Sequence, residues 1–544
     1  MVSYLRSEFD PVPVADEPFH LEYLRIIKKH ADRGLTAFIS AETGERKTYK
    51  DLLLASYCVN VYLKKIGFGN KDVVGAVLQN CWQFAPIFLG VVSRGGCLSG
   101  ASPLFTEAEL SQQFNDAKCR VIFCMEYSLE LALKARNDCP LIKHIVVVDA
   151  TNSKKLPPNV VTFDYILLLN PLTHELHTKV DVEKDMILLP YSSGTTGVPK
   201  GVMLTHKNFG TLVRSVSKVL DEELLKKMDP KWDWNKEYLV SPLPLYHMYG
   251  FGFLWINILN GAQTVILKKY NPEIFFRVIQ EYKVRFVAIV PPILVFMANS
   301  EIMNNYDISS LEYITSSAAP VGLELITALK KRFPTIKQIS QAYGMTEMSM
   351  SSHIPVFGRD NIAASGRLAP NYEMKIIDRD THETVPLGTV GEILIRSPTV
   401  MLGYFNRPKA TAETVDKEGW LHTGDLGYLE KDGWMYVVDR CKDLIKVKGL
   451  QVAPAELEDI LLSHDNIKDS AVIGVPHPEF GEVPRAFVVK NDPNLTAAEV
   501  DRYILEKCAP YKRLLGGVFF VDEIPKSPSG KILRRQLRDT KSKL

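Results

Sequence analysis

Tyr191-Ser-Ser-Gly-Thr-Thr-Gly-Val-Pro-Lys-Gly201 is composed to hold a polyphosphate. Its glycines Gly194, Gly197 and Gly201 let the backbone turn tightly and come close to a ligand. Ser192, Ser193, Thr195 and Thr196 offer hydroxyl donors, and Lys200 adds a point charge. Successive backbone amides in such a loop form an anion-binding concavity. The stretch is not a Walker A loop, because Val198-Pro199 separates Gly197 from Lys200 and a glycine follows the lysine. Its flanks argue against a flexible Gly/Ser linker. Apolar runs at Met186-Ile-Leu-Leu-Pro190 and Val202-Met-Leu204 predict strand, loop, strand, the usual mount of a phosphate cradle.

Outward from this loop, strand-like and helix-like segments alternate. A helical pattern covers Tyr49 to Ile66, and short apolar runs follow at 73–78, 121–124, 145–148, 264–267 and 286–290. Such alternation predicts mostly parallel sheets covered by helices on both faces. The pattern changes near residue 370, where 374–378, 391–396 and 434–438 read as a small β-rich module. After Asp439 come a helix at 454–463, strands at 471–475 and 485–489, and a helix at 497–507. The expected architecture is a large α/β N-terminal domain, residues 1–439, with two parallel-type sheets and the β module. A smaller α+β C-terminal domain, 440–544, completes it. The polar segment Asp221 to Lys236 reads as a surface insertion.

Composition narrows the function. The 544 residues are 46% hydrophobic and 24% charged, enough for sizeable cores. A net charge of +2 supplies no field to attract nucleic acid or an acidic membrane. Eight scattered cysteines lack metal-ligand spacing and read as reduced thiols. No run is long enough to cross a bilayer; Phe84 to Val92 reads as a buried helix. Ser542-Lys543-Leu544 matches a receptor-read peroxisomal address, behind the basic segment 534–541, and predicts import into the peroxisomal matrix.

Four further motifs carry chemistry. In Gln341-Ala-Tyr-Gly-Met-Thr-Glu347, Tyr343 can face a base, while Thr346 and Glu347 offer hard oxygens suited to magnesium. Asp425 closes Gly419-Trp-Leu-His-Thr-Gly-Asp425, downstream of Tyr404-Phe-Asn-Arg-Pro408, and suits ribose hydroxyls. In Val438 to Gly449, Lys442, Lys446 and Lys448 would share one face of a strand. Pro525-Lys-Ser-Pro-Ser-Gly-Lys531 is a turn ending in lysine.

In this chain order the five motifs resemble the adenylate-forming superfamily of acyl-CoA synthetases, 4-coumarate–CoA ligases and insect luciferases. The resemblance runs from about Thr48 to the terminus and is closest to the peroxisomal 4-coumarate–CoA ligase-like and luciferase-like branch. It implies an ATP-dependent acid–CoA ligase with ATP, Mg2+ and coenzyme A, acting on a medium-sized fatty or aryl-substituted carboxylic acid. A luciferase-like oxygenase and a non-catalytic adenylate-binding homologue are the alternatives.

By the family pattern, Ser192, Ser193, Gly194, Thr195, Thr196 and Lys200 hold phosphates, and Thr196 with Glu347 positions magnesium. Gln341, Tyr343 and Thr346 border the nucleotide, and Asp425 and Arg440 hold the ribose. Lys531 serves adenylation. The small domain is mobile in that pattern and then rotates about Lys442, which brings Lys446 to the adenylate and Lys448 and Gly449 to the pantetheine tunnel, with Lys269 on the CoA nucleotide. The acid pocket takes His247, from Pro244-Leu-Tyr-His-Met-Tyr-Gly250, with Tyr249, Ser317, Ala318, Ala342, Met350 and Ser351. Ser317 and Ala342 stand where the family commonly has glycine, which implies a narrower cleft.

Overall fold

The computed structural model describes residues 4–150, 156–176, 179–192, 199–358, 363–447, 450–527 and 530–539. Ser193, Gly194, Thr195, Thr196, Lys448, Gly449 and the terminal Ser542-Lys543-Leu544 lie outside the described residues.

Two parallel layers form the large domain. The first is a nine-stranded sheet in which 73–77, 97–101, 119–124, 144–147, 160–162 and 186–188 run parallel. Lys200–Thr205 joins it antiparallel to Met186–Leu188 and carries Tyr191–Ser192 on its edge. The strand-loop-strand expectation therefore holds on both flanks of the phosphate loop. The second layer has two pieces lying side by side. Thr36–Ser40, Gln263–Ile266 and Tyr238–Ser241 are parallel, as are Phe286–Ile289, Tyr313–Ser316 and Gln338–Gln341. Val73–Val77 is buried along its whole length, which is why it reads as a continuous apolar run and not as an alternation.

Phe84–Val92 is fully buried between the layers. Beside it, Phe19, Tyr23, Phe88, Phe209, Phe251 and Trp255 interlock with centroid separations from 4.0 Å for Phe19–Tyr23 to 6.4 Å for Phe88–Phe209. The antiparallel β module contains Leu5–Arg6, Glu373–Ile377, Gly391–Arg396, Leu421–Leu429 and Met435–Arg440. In the small domain, the hairpin Ile467–His477/Gly481–Lys490 packs beneath helices Pro454–Leu462 and Ala497–Lys507.

The first forty residues are integral to the large domain: Leu5–Arg6 completes the β module, helix Phe19–Asp32 is part of the main core, and Thr36–Ser40 is a sheet strand. Two expectations are corrected. Segment 221–236 is no surface insertion. Leu220–Leu225 continues helix His206–Val219 as a π-helical turn, and Leu224, Leu225, Met228, Trp232 and Trp234 are buried. Arg285 lies 5.2 Å over the Trp232 ring and bonds Asp229 (3.0 Å), Glu237 (3.1 Å) and Glu312 (2.7 Å). The burial of two indoles outweighs the polar average of the segment. Lastly, Lys442 occupies a turn at 441–443, while Lys446 sits on the separate strand Ile445–Val447. Lys442 and Lys446 do not share one strand face, because Lys442 lies in the turn between two strands of different sheets and only Lys446 is on a strand.

Candidate active site

The site collects at the carboxyl ends of the parallel strands Tyr313–Ser316 and Gln338–Gln341, where open α/β sheets place their ligands. Ser317 Oγ donates to the Ala342 carbonyl (2.9 Å), and Ala342 N–H donates to Ser316 O (3.0 Å). The Gln341 amide accepts from Val321 N–H (2.8 Å) and donates to Val321 O (3.2 Å). Gln341 thus ties down the loop 317–322. Ala318 is held at φ +77° in that loop. The chain then folds back, and Tyr343 pairs with His353. At Gly344 a Cβ would overlap the Met350 carbonyl and lie 2.5 Å from Ser351 Cα, so this return requires glycine. It delivers Glu347, in the turn Thr346–Met348, into the interior.

Glu347 Oε1 accepts from Ser192 Oγ (2.7 Å) and from the Tyr404 hydroxyl (2.9 Å). Lys200 Nζ lies 4.9 Å over the Tyr404 ring. The phosphate-loop flank and the Tyr-Gly-Met-Thr-Glu motif, 155 residues apart, are therefore in direct contact. Tyr404 opens a motif noted in the sequence but given no role there; its strand, Gly403–Tyr404, pairs with Lys200–Thr205. The Tyr343 hydroxyl donates to Asp425 Oδ2 (2.7 Å), and Arg440 Nε lies 3.5 Å from Asp425 Oδ1. Burial pushes the Asp425 carboxyl up, against the opposing pull of Arg440.

From the small domain comes Lys531. Its turn is closed by Ser527 N–H to Lys531 O (2.8 Å) and Lys531 N–H to Ser527 Oγ (3.1 Å), with Gly530 at φ +81°. A Cβ on Gly530 would lie 2.9 Å from Pro292 Cδ, which places this turn against the large domain. Burial, and then Arg440, push Lys531 down to about 8, while Asp425, Asp443 and Glu347 pull the other way. Asp443 is a second group that sequence reading did not single out.

His247 caps helix Met248–Asn260, its Nδ1 accepting from Tyr249 N–H at 3.3 Å. Burial, assisted by Lys531, lowers it to about 4. The imidazole is neutral at pH 7 and, with Nδ1 accepting, carries its proton on Nε2. The Tyr249 hydroxyl donates to Ile289 O (3.4 Å). Met350 is buried against the same helix, where a Cβ on Gly252 would overlap its Sδ. Ser351 and Ser317 are buried, and Thr346 and Ala342 half-buried. Lys269, Lys442 and Lys446 stand exposed; Lys446 N–H donates to Glu482 Oε2 (3.0 Å).

Family models match along the chain: that of the AMP-binding enzymes over residues 27–405, and that of the AMP-binding enzyme C-terminal domain over residues 456–531. The chain belongs to the AMP-binding enzyme family. It is 39% identical over 538 residues to a 4-coumarate–CoA ligase of Vanilla planifolia, covering 96% of this chain and 93% of that protein. Over 510 residues it is 38% identical to 4-coumarate–CoA ligase 1 of Arabidopsis thaliana, covering 92% and 89%. The fold is shared with an anthranilate CoA ligase in complex with anthranoyl-AMP (TM-score 0.85, 24% identity, 98% of each chain). It is shared also with ATP-bound MatB from Rhodopseudomonas palustris (TM-score 0.83, 23% identity, 96% and 98%).

In this AMP-binding enzyme the polar groups fall into two sets. Ser192, Glu347, Tyr404 and Lys200 form one, and Tyr343, Asp425 and Arg440 the other, with Lys531 in electrostatic reach of both acids. Among the described residues no three His, Cys, Asp or Glu side chains gather into a metal cage. A lone buried carboxylate beside a hydroxyl suits Mg2+, which keeps water and phosphate oxygens in most of its positions.

Proposed function

We propose that this AMP-binding enzyme is an AMP-forming acid–CoA ligase. The observation that carries the reading is the convergence of Lys531 from the small domain with Glu347, Asp425, Arg440 and His247 of the large one. The 4-coumarate–CoA ligases, similar over nearly their whole length, support it. In the first step a substrate carboxylate oxygen bonds to the α-phosphorus of ATP, and the bond to the bridging oxygen breaks to release pyrophosphate. Such a displacement needs positioning and charge stabilisation more than covalent help. Protonated Lys531 stabilises the charge that builds on the α-phosphate, Asp425 and Arg440 hold the ribose, and Tyr343 borders the adenine. Glu347, with Thr196, would hold Mg2+, which neutralises phosphate charge when bound. In the second step the CoA sulfur bonds to the acyl carbon and AMP leaves. Rotation about Lys442 would then bring the exposed Lys446 into the site, with Lys448 and Gly449 at the pantetheine and Lys269 at the CoA nucleotide. Acid-dependent release of pyrophosphate, followed by CoA-dependent release of AMP across an acid panel, tests the reading; ATP hydrolysis indifferent to acid and CoA would refute it.

The acid is a medium-sized fatty or aryl-substituted one, bounded by Tyr249, Ser317, Ala318, Ala342, Met350 and Ser351. Met350, packed on Gly252, and the side chain of Ala342 would narrow its inner end. Ala342→Gly with Met350→Ala should shift kcat/KM toward bulkier acids by roughly 10- to 100-fold relative to slim ones, since a methylene in an apolar pocket is worth about 1–3 kcal/mol. An unchanged ratio would remove both side chains from the pocket.

The enzyme is further proposed to enter peroxisomes through a receptor that reads Ser542-Lys543-Leu544. Deleting the tripeptide should leave catalysis intact and turn a punctate tagged protein diffuse. A full-length protein that is already diffuse would end this proposal.

A further inference from the structure

Gly322 precedes helix Leu323–Arg332 with φ −69° and ψ 152°, a conformation open to any L-residue. The backbone therefore gives no reason for glycine. The surroundings do. A Cβ at 322 would overlap Asp459 Oδ1 and lie 2.6 Å from Asp459 Cγ and 3.0 Å from Oδ2; its three nearest neighbours all belong to that one side chain. Asp459 is on helix Pro454–Leu462 of the small domain. The space a side chain would need at 322 is thus filled by the docked domain.

The receiving helix has no side-chain cap from its own Gly322. Docking half-buries Asp459 and pushes its carboxyl up to about 6, by burial and then by Glu324 in the helix's first turn. Glu324 in turn attracts Lys507 of the small domain. Asp459 is also tied to the catalytic turn. Its neighbour Glu458 accepts two bonds of 2.8 Å from Arg534, three residues beyond Lys531.

We propose that Asp459 is a positioning residue for adenylation: its carboxylate seats on Gly322 when Lys531 occupies the cleft, and leaves when the small domain rotates. The proposal rests on the two-step reading above and assigns the contact to the first step alone. Gly322→Val should slow acyl-adenylate formation at least tenfold and leave conversion of supplied acyl-adenylate to thioester within about twofold. Adding Asp459→Gly should restore adenylation. Equal loss in both half-reactions, absence of any loss, or failure of the rescue would overturn the assignment.

A readout independent of activity separates this from the functional reading. In a Gly322→Cys/Asp459→Cys variant the two Cβ atoms fall within disulfide reach. Mild oxidation should cross-link the full-length chain and, until reduced, preserve adenylation while stopping thioester formation. If the cross-link fails to form, the dock is wrong. If it forms and no acid supports pyrophosphate release in the parent protein, the dock stands and the ligase reading falls.

Discussion

Lys531→Ala is expected to slow acyl-adenylate formation about a hundredfold while conversion of supplied acyl-adenylate to thioester continues. The described pose brings Lys531 within reach of Asp425, Glu347 and His247 and leaves Lys446 exposed. Lys446→Ala should therefore give the mirror result. A charge-assisted contact made only in one transition state is worth on the order of 3 kcal/mol, or about two decades in rate. Equal slowing of both half-reactions in both variants would contradict the assignment of one lysine to each step. Acidity supplies a second signature. Burial and Arg440 lower Lys531 from its ordinary range to about 8, so the cation predominates below that pH and is lost above it. The kcat/KM for adenylation should fall as pH rises through about 8, and Lys531→Arg should remove that limb. His247, lowered to about 4, stays neutral throughout this range and contributes no limb.

Arg534→Ala should destabilise the small domain by about 3–5 kcal/mol, because it strands a buried charge partner. Glu458 is buried, accepts both Arg534 bonds and also accepts from Val472 N–H at 2.8 Å. Burial pushes its carboxyl up to about 7 even with Arg534 beside it. Removing both charges together, as Glu458→Leu/Arg534→Met, should cost roughly 1–3 kcal/mol, the penalty of the orphaned Val472 amide. Urea unfolding of the full-length chain, followed by a small-domain probe, distinguishes the two. A double variant no more stable than Arg534→Ala would mean that the pair's charges are not its main contribution.

The fold class and the chemistry-bearing motifs were legible in the sequence because both depend on local composition. Buried parallel strands such as Val73–Val77 need unbroken apolar runs, and a close backbone return such as that at Gly344 needs glycine. Segment 221–236 was misread for a related reason: its charges set the average, while the burial of Trp232 and Trp234 depends on Arg285 and on helical spacing that the average hides. The place of Leu5–Arg6 was equally invisible, since two residues carry no pattern until Glu373 and Met374 lie beside them.

The sequence by itself determined the two parallel layers, the phosphate-loop mount and the chemical types at the site, since each follows from residues near one another in the chain. Only the tertiary structure decided the pairings: Ser192 and Tyr404 on Glu347, Tyr343 and Arg440 on Asp425, Asp459 on Gly322, and which lysine faces the cleft. Hydrogen bonds and charge effects act over a few ångströms, and groups tens to hundreds of residues apart reach that range only when the sheets, the β module and the small domain have packed.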